Sequence, residues 1–103
     1  MNYNVPLVST NLEKAKQIAR KVSERGGGLP NVQAMALLHG DNCIEIACNL
    51  LDMDVSGPDV VQCIIATLAA KEGIKANPGY LTGHSKQEIF QLAMEKLDIF
   101  HKL

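Results

Sequence analysis

Tryptophan is absent from this chain, and two tyrosines and two phenylalanines supply all of its aromatic content. That leaves little with which to build a base-stacking platform. No surplus of one charge exists either: ten basic residues stand against eleven acidic ones, for a formal net charge of -1. Such a balance excludes a broad electropositive field for nucleic acid or an anionic bilayer. No apolar run approaches the roughly 18–20 residues that cross a membrane. The start, Met1-Asn2-Tyr3-Asn4, has neither a basic n-region nor an Arg-rich amphipathic leader. Cysteine is scarce, and Cys43, Cys48 and Cys63 are odd in number and form no Cys-x-x-Cys pair. This pattern argues for free thiols in a reducing compartment rather than a disulfide framework. Cys43 and Cys48 stand five apart on one expected strand, on opposite faces, and cannot hold one metal together. These absences lead to the expectation of a soluble, cytoplasmic chain with no metal, no membrane and no nucleic acid among its partners.

What is present suits an ordinary globular domain. The 103 residues, 47% hydrophobic and 20% charged, suffice for one core without disulfides or metal. No linker or low-complexity segment divides residues 1–103, so a single domain is expected.

Hydrophobic periodicity gives the elements in order. Tyr3 to Val8 alternates as a strand with Tyr3, Val5 and Leu7 on one face. Pro6 has no amide donor, so this strand should lie at a sheet edge or turn its N–H side away from a partner. Thr10-Asn11-Leu12-Glu13 reads as a capping box led by Thr10. Leu12, Ala15, Ile18, Ala19 and Val22 then form a helical stripe. Asn31 to Leu38 and Cys43 to Leu50 alternate around His39-Gly40-Asp41-Asn42 as a hairpin. Val32, Ala34, Ala36 and Leu38 share one face of the first hairpin strand, and Ile44, Ile46, Cys48 and Leu50 point inward from the second. The first of these strands is apolar on both faces, which predicts a central position in the sheet.

A second helix follows, with Ser56 as its expected N-cap, Pro58 in its first turn and Gly73 closing it. Val61, Ile64, Ile65, Leu68 and Ala69 are its apolar stripe. A fourth strand is expected near Tyr80-Leu81, beyond the turn Asn77-Pro78-Gly79. Ser85 then caps a last amphipathic helix through Ile89, Leu92, Ala93, Leu97 and Phe100. The order βαββαβ plus a C-terminal helix predicts an α+β, ferredoxin-like sandwich, with both crossover helices on one sheet face.

The three consecutive glycines Gly26, Gly27 and Gly28 attract attention as a site. A phosphate cradle runs strand, glycine loop, helix, so that amide donors at the helix start meet the anion. Here the helix precedes the loop and presents carbonyls, so that reading fails. Two readings stay open. The loop is a helix C-cap with a flexible turn, or its extra glycines admit a ligand or partner close to the backbone. Cys48 and Cys63 read as small buried hydrophobes. His39, His84 and His101 have no carboxylate or nucleophile at a relay spacing. Asp52 and Asp54 are too few to hold calcium. Asn49, near a strand end, has an amide suited to the hydrogen-bonding edge of a ligand.

Several stretches together carry a family pattern. They are Tyr3-Asn4-Val5-Pro6-Leu7, Ile18-Ala19-Arg20-Lys21-Val22, Arg25-Gly-Gly-Gly-Leu-Pro30 with Val32-Gln33-Ala34, Glu45-Ile-Ala-Cys-Asn49-Leu50-Leu51, and Gly79-Tyr80-Leu81-Thr82-Gly83. In this order they resemble the formiminotransferase family, and within it the plant formiminotransferase-cyclodeaminase-like proteins. The resemblance covers nearly the whole chain but only the C-terminal subdomain of the transferase. It implies transfer of a formimino group from N-formiminoglutamate to tetrahydrofolate, with the folate held between two subdomains. It further implies a folate-facing surface at Arg25, Gly26, Gly27, Gly28 and Asn49. The family's catalytic histidine belongs to the N-terminal subdomain and matches no position here. The resemblance therefore implies a folate-binding subdomain inactive on its own, working with an N-terminal formiminotransferase subdomain. The alternative is a small interaction module, without enzymatic activity, that self-associates or docks through its sheet. The segment Lys75-Ala76-Asn77-Pro78 is more polar than the family's usual strand at that place.

Overall fold

Alternating side chains decide the architecture, since each strand offers one apolar face that must be covered. The computed structural model of the chain describes residues 1–40 and 43–82. Strand β1 (Asn2–Val8) leads to helix α1 (Leu12–Val22), and a short 3-10 turn over Glu24–Gly26 follows. Strands β2 (Val32–Leu38) and β3 (Ile44–Leu50) form the hairpin, and helix α2 (Pro58–Lys71) crosses back. Two short strands, β4 (Lys75–Ala76) and β5 (Tyr80–Thr82), close the described sequence of elements. The sheet is antiparallel, in the order β2-β3-β1-β4, with β5 also paired to β1. This is the expected ferredoxin-like α+β arrangement. The last expected helix lies outside the described residues, as do His84, His101 and the turn residues Asp41 and Asn42.

The core lies between the helices and one sheet face. Leu7, Ile44, Ile46 and Leu50 from the sheet are fully buried with Val22 of α1 and Val61 and Ile65 of α2. Each such side chain contributes on the order of 1.5–3 kcal/mol through removal from water. The stripe expected for α1 is the one that packs, with Ala15, Ile18, Ala19 and Val22 buried. Its cap lies one residue later than expected: Asn11, not Thr10, accepts from the Lys14 amide at 3.1 Å. The Asn11 amide in turn donates to Ser9 Oγ. The second cap also moves. Gly57 occupies the N-cap of α2 and makes no side-chain cap bond, while Ser56 is buried with its Oγ unpartnered among the described residues. Gly73, at φ 71°, ends the helix as expected.

One expectation about strand position is corrected, and another is met by its second alternative. β2 is an edge strand, paired only with β3 among the described residues, although both of its faces are apolar. One face is covered by α1, and the other lines a cavity, so double-sided apolarity arose without centrality. β1, which carries Pro6, is interior. Proline is tolerated there because the outer strand is interrupted opposite it. β4 pairs at Leu7 and Val8, β5 pairs at Asn2 to Asn4, and the loop Asn77-Pro78-Gly79 spans the gap. The Pro6 carbonyl accepts from Asn77 N at 2.9 Å. The absent N–H points to the same side, into that interruption, so no ladder bond is lost.

Gln62 of α2 holds the interruption in place. Its Oε1 accepts from Tyr3 Oη at 2.6 Å and from Gly79 N at 2.7 Å, and its Nε2 donates to the Asn77 carbonyl at 3.1 Å. A Cβ at Gly79 would lie 2.5 Å from the Tyr3 ring, so any other residue there would displace that ring.

Candidate functional site

The glycine loop is built on the end of α1. Ser23, buried, donates its hydroxyl to the Arg20 carbonyl at 3.0 Å, and its own carbonyl accepts from Gly28 N at 2.8 Å. The chain thereby folds back on the helix it has just left. A Cβ on Gly26 would lie 1.9 Å from the Arg20 carbonyl oxygen, and one on Gly28 would lie 2.2 Å from that of Lys21. Gly27 has open space around it among the described residues but a left-handed φ of 86°. The close approach suggested by the glycine surplus is therefore made by the chain's own backbone. Each glycine has a reason internal to the fold.

What this packing achieves is the placement of Arg25. The 3-10 turn carries Glu24 and Arg25 to the edge of the sheet face turned away from the helices. Pleating brings Gln33 and Met35 of β2, and Ala47 and Asn49 of β3, to that same face. Together these residues line an open cavity of about 420 Å³, bounded also by Ser23 and Leu51. Its volume falls within the range of small-molecule sites. Of the residues expected to face a ligand, the structure brings Arg25 and Asn49 into this one cavity. Gly26, Gly27 and Gly28 do not line it. The Arg25 guanidinium forms no ion pair among the described residues. The floor is apolar, from Ala47 and Met35. The walls supply one cation, one carboxylate from Glu24, and two carboxamides.

Gln33 is a lining residue that the sequence reading passed over. It lies directly opposite Asn49 in the β2–β3 register, and Asn49 Nδ2 donates to its Oε1 at 3.2 Å. The signal was available. Matching the inward sets Val32 to Leu38 and Ile44 to Leu50 pairs Leu38 with Ile44, and that register faces Gln33 to Asn49.

A second polar group sits on this sheet face, nearer the β2–β3 turn. Glu45 is buried, at 5% exposure, and both of its carboxylate oxygens accept from Tyr80 Oη, at 2.7 and 2.5 Å. His39 Nδ1 lies 3.4 Å from Glu45 Oε1. A carboxylate neighbour thus exists for His39, contrary to the spacing argument, because the hairpin folds the two together. Burial, together with the hydrogen bond to Glu45, pushes the Tyr80 hydroxyl up to about 12. Burial first, then the Glu45 charge, raises the Cys43 thiol. A thiol held protonated is a poor nucleophile. Cys48 is buried as expected and raised to about 12 by desolvation, whereas Cys63 is exposed rather than buried. Asp52 closes a turn of its own, accepting from Asp54 N at 3.0 Å. Among the described residues no group of three or more His, Cys, Asp or Glu could hold a metal ion. None of the helices among them is long and apolar enough to cross a membrane.

Comparison with known proteins agrees with the motif pattern. No family model matches the chain. A curated protein of Arabidopsis thaliana, described as a formiminotransferase cyclodeaminase-like protein, is 47% identical over 97 residues, or 94% of this chain. Those residues are 33% of that protein, so the chain spans about a third of the length of the curated relative it matches. The resemblance read from the motifs therefore holds along almost the entire chain.

Proposed function

We propose that this chain is a folate-binding subdomain of a formimidoyltransferase-type protein, corresponding to the C-terminal subdomain of the transferase. The observation that carries the reading is the cavity of about 420 Å³ that joins Arg25 to Asn49. Those two residues, far apart in sequence, are both among the folate-facing positions that the resemblance implies. An unpaired guanidinium suits a carboxylate, and carboxamides above an apolar floor suit a flat ring with polar edges. Tetrahydrofolate has both parts. Gly26, Gly27 and Gly28 serve the site indirectly, by fixing the turn that carries Arg25. We assign binding rather than turnover, since the family's catalytic histidine has no counterpart at any position of this sequence. Formimino transfer then requires an N-terminal formiminotransferase subdomain, in the same polypeptide or supplied in trans. Free thiols at Cys43, Cys48 and Cys63 suit the reducing cytoplasm.

The test is a titration of the chain with a reduced folate, followed through backbone amide shifts. Saturable shifts at Glu24, Arg25, Gln33 and Asn49, with loss of affinity in Arg25→Ala, are the expected result. Shifts absent from all four positions up to millimolar folate would overturn the reading. A second reading, self-association or docking without a small ligand, is favoured by the exposed Leu38, Leu51, Met53 and Val55. Sedimentation of the chain alone separates the two, because the folate reading requires no concentration-dependent mass.

A further inference from the structure

The outer edge of β2 is open main chain. In the β2–β3 ladder His39 N donates to the Cys43 carbonyl at 2.8 Å, and Leu51 N donates to the Asn31 carbonyl at 2.9 Å. Antiparallel positions alternate between bonded and non-bonded pairs, so Gln33, Met35 and Leu37 are the β2 residues bonded to β3. The N–H and C=O of Val32, Ala34, Ala36 and Leu38 then point out of the sheet, where no strand pairs with them among the described residues. Val32 is buried, which leaves Ala34, Ala36 and Leu38 each to offer a donor and an acceptor. Edge strands are ordinarily protected by a charge, a proline or a bulge. β2 has none of these: Val32–Leu38 holds no charged residue and no proline, and its register with β3 runs without a bulge.

The surroundings of that edge are basic. α1 packs on β2, whereas α2 packs on β1 and β4. Lys14, 3.6 Å from Glu72, marks the flank of α1 that faces α2. Lys16 and Arg20, one helical turn apart, lie on the opposite flank, on the side of the open edge. Glu13 lies 3.8 Å from Lys16, and Arg20 forms no ion pair among the described residues. Arg25 approaches from the 3-10 turn. It lines the cavity together with Ala34, on the helix face of β2, and Met35, on the other face, so the cavity wraps around the edge of that strand. Lys16, Arg20 and Arg25 thus border the edge against Glu13 and Glu24, and neither guanidinium is ion-paired among the described residues.

We propose that the β2 edge accepts an extended acidic peptide segment of a partner protein as an additional strand. Main-chain hydrogen bonds to Ala34, Ala36 and Leu38 supply the pairing. Carboxylates on the segment meet Arg20 and Arg25 and select which segments pair. The uncharged side chains of β2 repel neither sign, so the selection rests on the two guanidiniums. This surface does not depend on the folate reading, with which it shares only Arg25.

The experiment titrates the intact 103-residue chain with two short peptides, one alternating glutamate with threonine and one alternating lysine with threonine. The glutamate peptide is expected to shift the amides of Ala34, Ala36 and Leu38 and to slow their hydrogen exchange, and to shift the Nε resonances of Arg20 and Arg25. The lysine peptide should bind about 3- to 10-fold more weakly, the value of exposed ion pairs. Ala36→Pro removes an outward N–H and spares the ladder to β3, so the chain should fold and the glutamate peptide should bind about 3- to 10-fold more weakly. Because the comparison of the two peptides needs no variant, a misfolded Ala36→Pro chain does not block the test. Shifts at the arginines with still amides at Ala34, Ala36 and Leu38 would overturn the added strand. Equal affinity for the two peptides would overturn the acidic partner. A dimer of the chain alone that Ala36→Pro returns to monomer would assign the edge to a second copy instead. With no shift from either peptide up to millimolar concentration, the proposal falls, and the folate titration stands or fails by itself.

Discussion

Single residues in the loop after α1 separate two uses of glycine. Gly26 and Gly28 are required for space, since a Cβ would meet the carbonyls of Arg20 and Lys21. Gly27 is required for its φ of 86°, with none of the described residues near its Cβ position. Chemical denaturation should therefore show Gly28→Ala destabilised by about 2 kcal/mol or more, because backbone must move. Gly27→Asn should change stability by less than about 1 kcal/mol, as asparagine enters the left-handed region readily. Equal effects at the two positions would contradict the packing described. Glu45 offers a second comparison. Tyr80→Phe leaves a buried carboxylate short of its hydroxyl donor and should cost about 1–3 kcal/mol. In a Glu45→Gln background the same change should cost clearly less, so a double-mutant cycle should return a favourable coupling. The sequence alone could not show this pair. Glu45 and Tyr80 are 35 residues apart and meet only because β5 lies next to β1 in the sheet.

At the level of elements, the strands and helices were legible because their periods are strong. Which strand lies inside the sheet was not. The two-sided apolarity of β2 suggested a central place and pointed away from the observed order, and Pro6 left two places open. A strand's own sequence records what covers its faces and which amides are used, and neither fixes its neighbours. The second alternative for Pro6, an N–H side turned from any partner, is the one realised, through the interruption between β4 and β5. The polar segment before Gly79 likewise proved to be a broken strand rather than a missing one. Gln62 secures that break, and Gln62→Ala should release Tyr3 Oη and Gly79 N together. The expected loss is about 2–3 kcal/mol, with one hydrogen bond worth about 1. Hydrogen exchange should accelerate at Tyr80 to Thr82 and stay unchanged in α1. Uniform acceleration throughout would show that the break is not an independent unit. The site was legible in part for the same reason. Asn49 stood out by its chemistry and Arg25 only through the family resemblance, while Gln33 gains its meaning from the register that sets it opposite Asn49.

The molecule as a whole should lose stability at alkaline pH in a specified window. Cys48 rises from its ordinary 9.0 to about 12 in the folded chain, and Tyr80 from 10.0 to about 12. Both groups are raised, so each stabilises fully below its unfolded value and loses that contribution as pH climbs towards the folded one. Unfolding free energy should be level up to about pH 9, as far as these groups govern it, and then fall towards pH 12. Because Cys43 is raised from the same ordinary value, Cys48→Ala should leave the onset near pH 9 but make the fall above it shallower, and urea melts at intervals of half a pH unit would show it. A fall as steep as in the parent chain would mean that Cys48 is not desolvated in the native state.

The glycine loop rests on main chain, not on side chains: the atoms beneath Gly26 and Gly28 are the backbone of residues 20 to 22. Every amino acid presents the same carbonyl. No replacement at Arg20, Lys21 or Val22 can therefore make room for a side chain at Gly26 or Gly28. In genetic terms the two glycines have no local suppressors, and a selection for restored folding would have to draw its revertants from elsewhere in the chain.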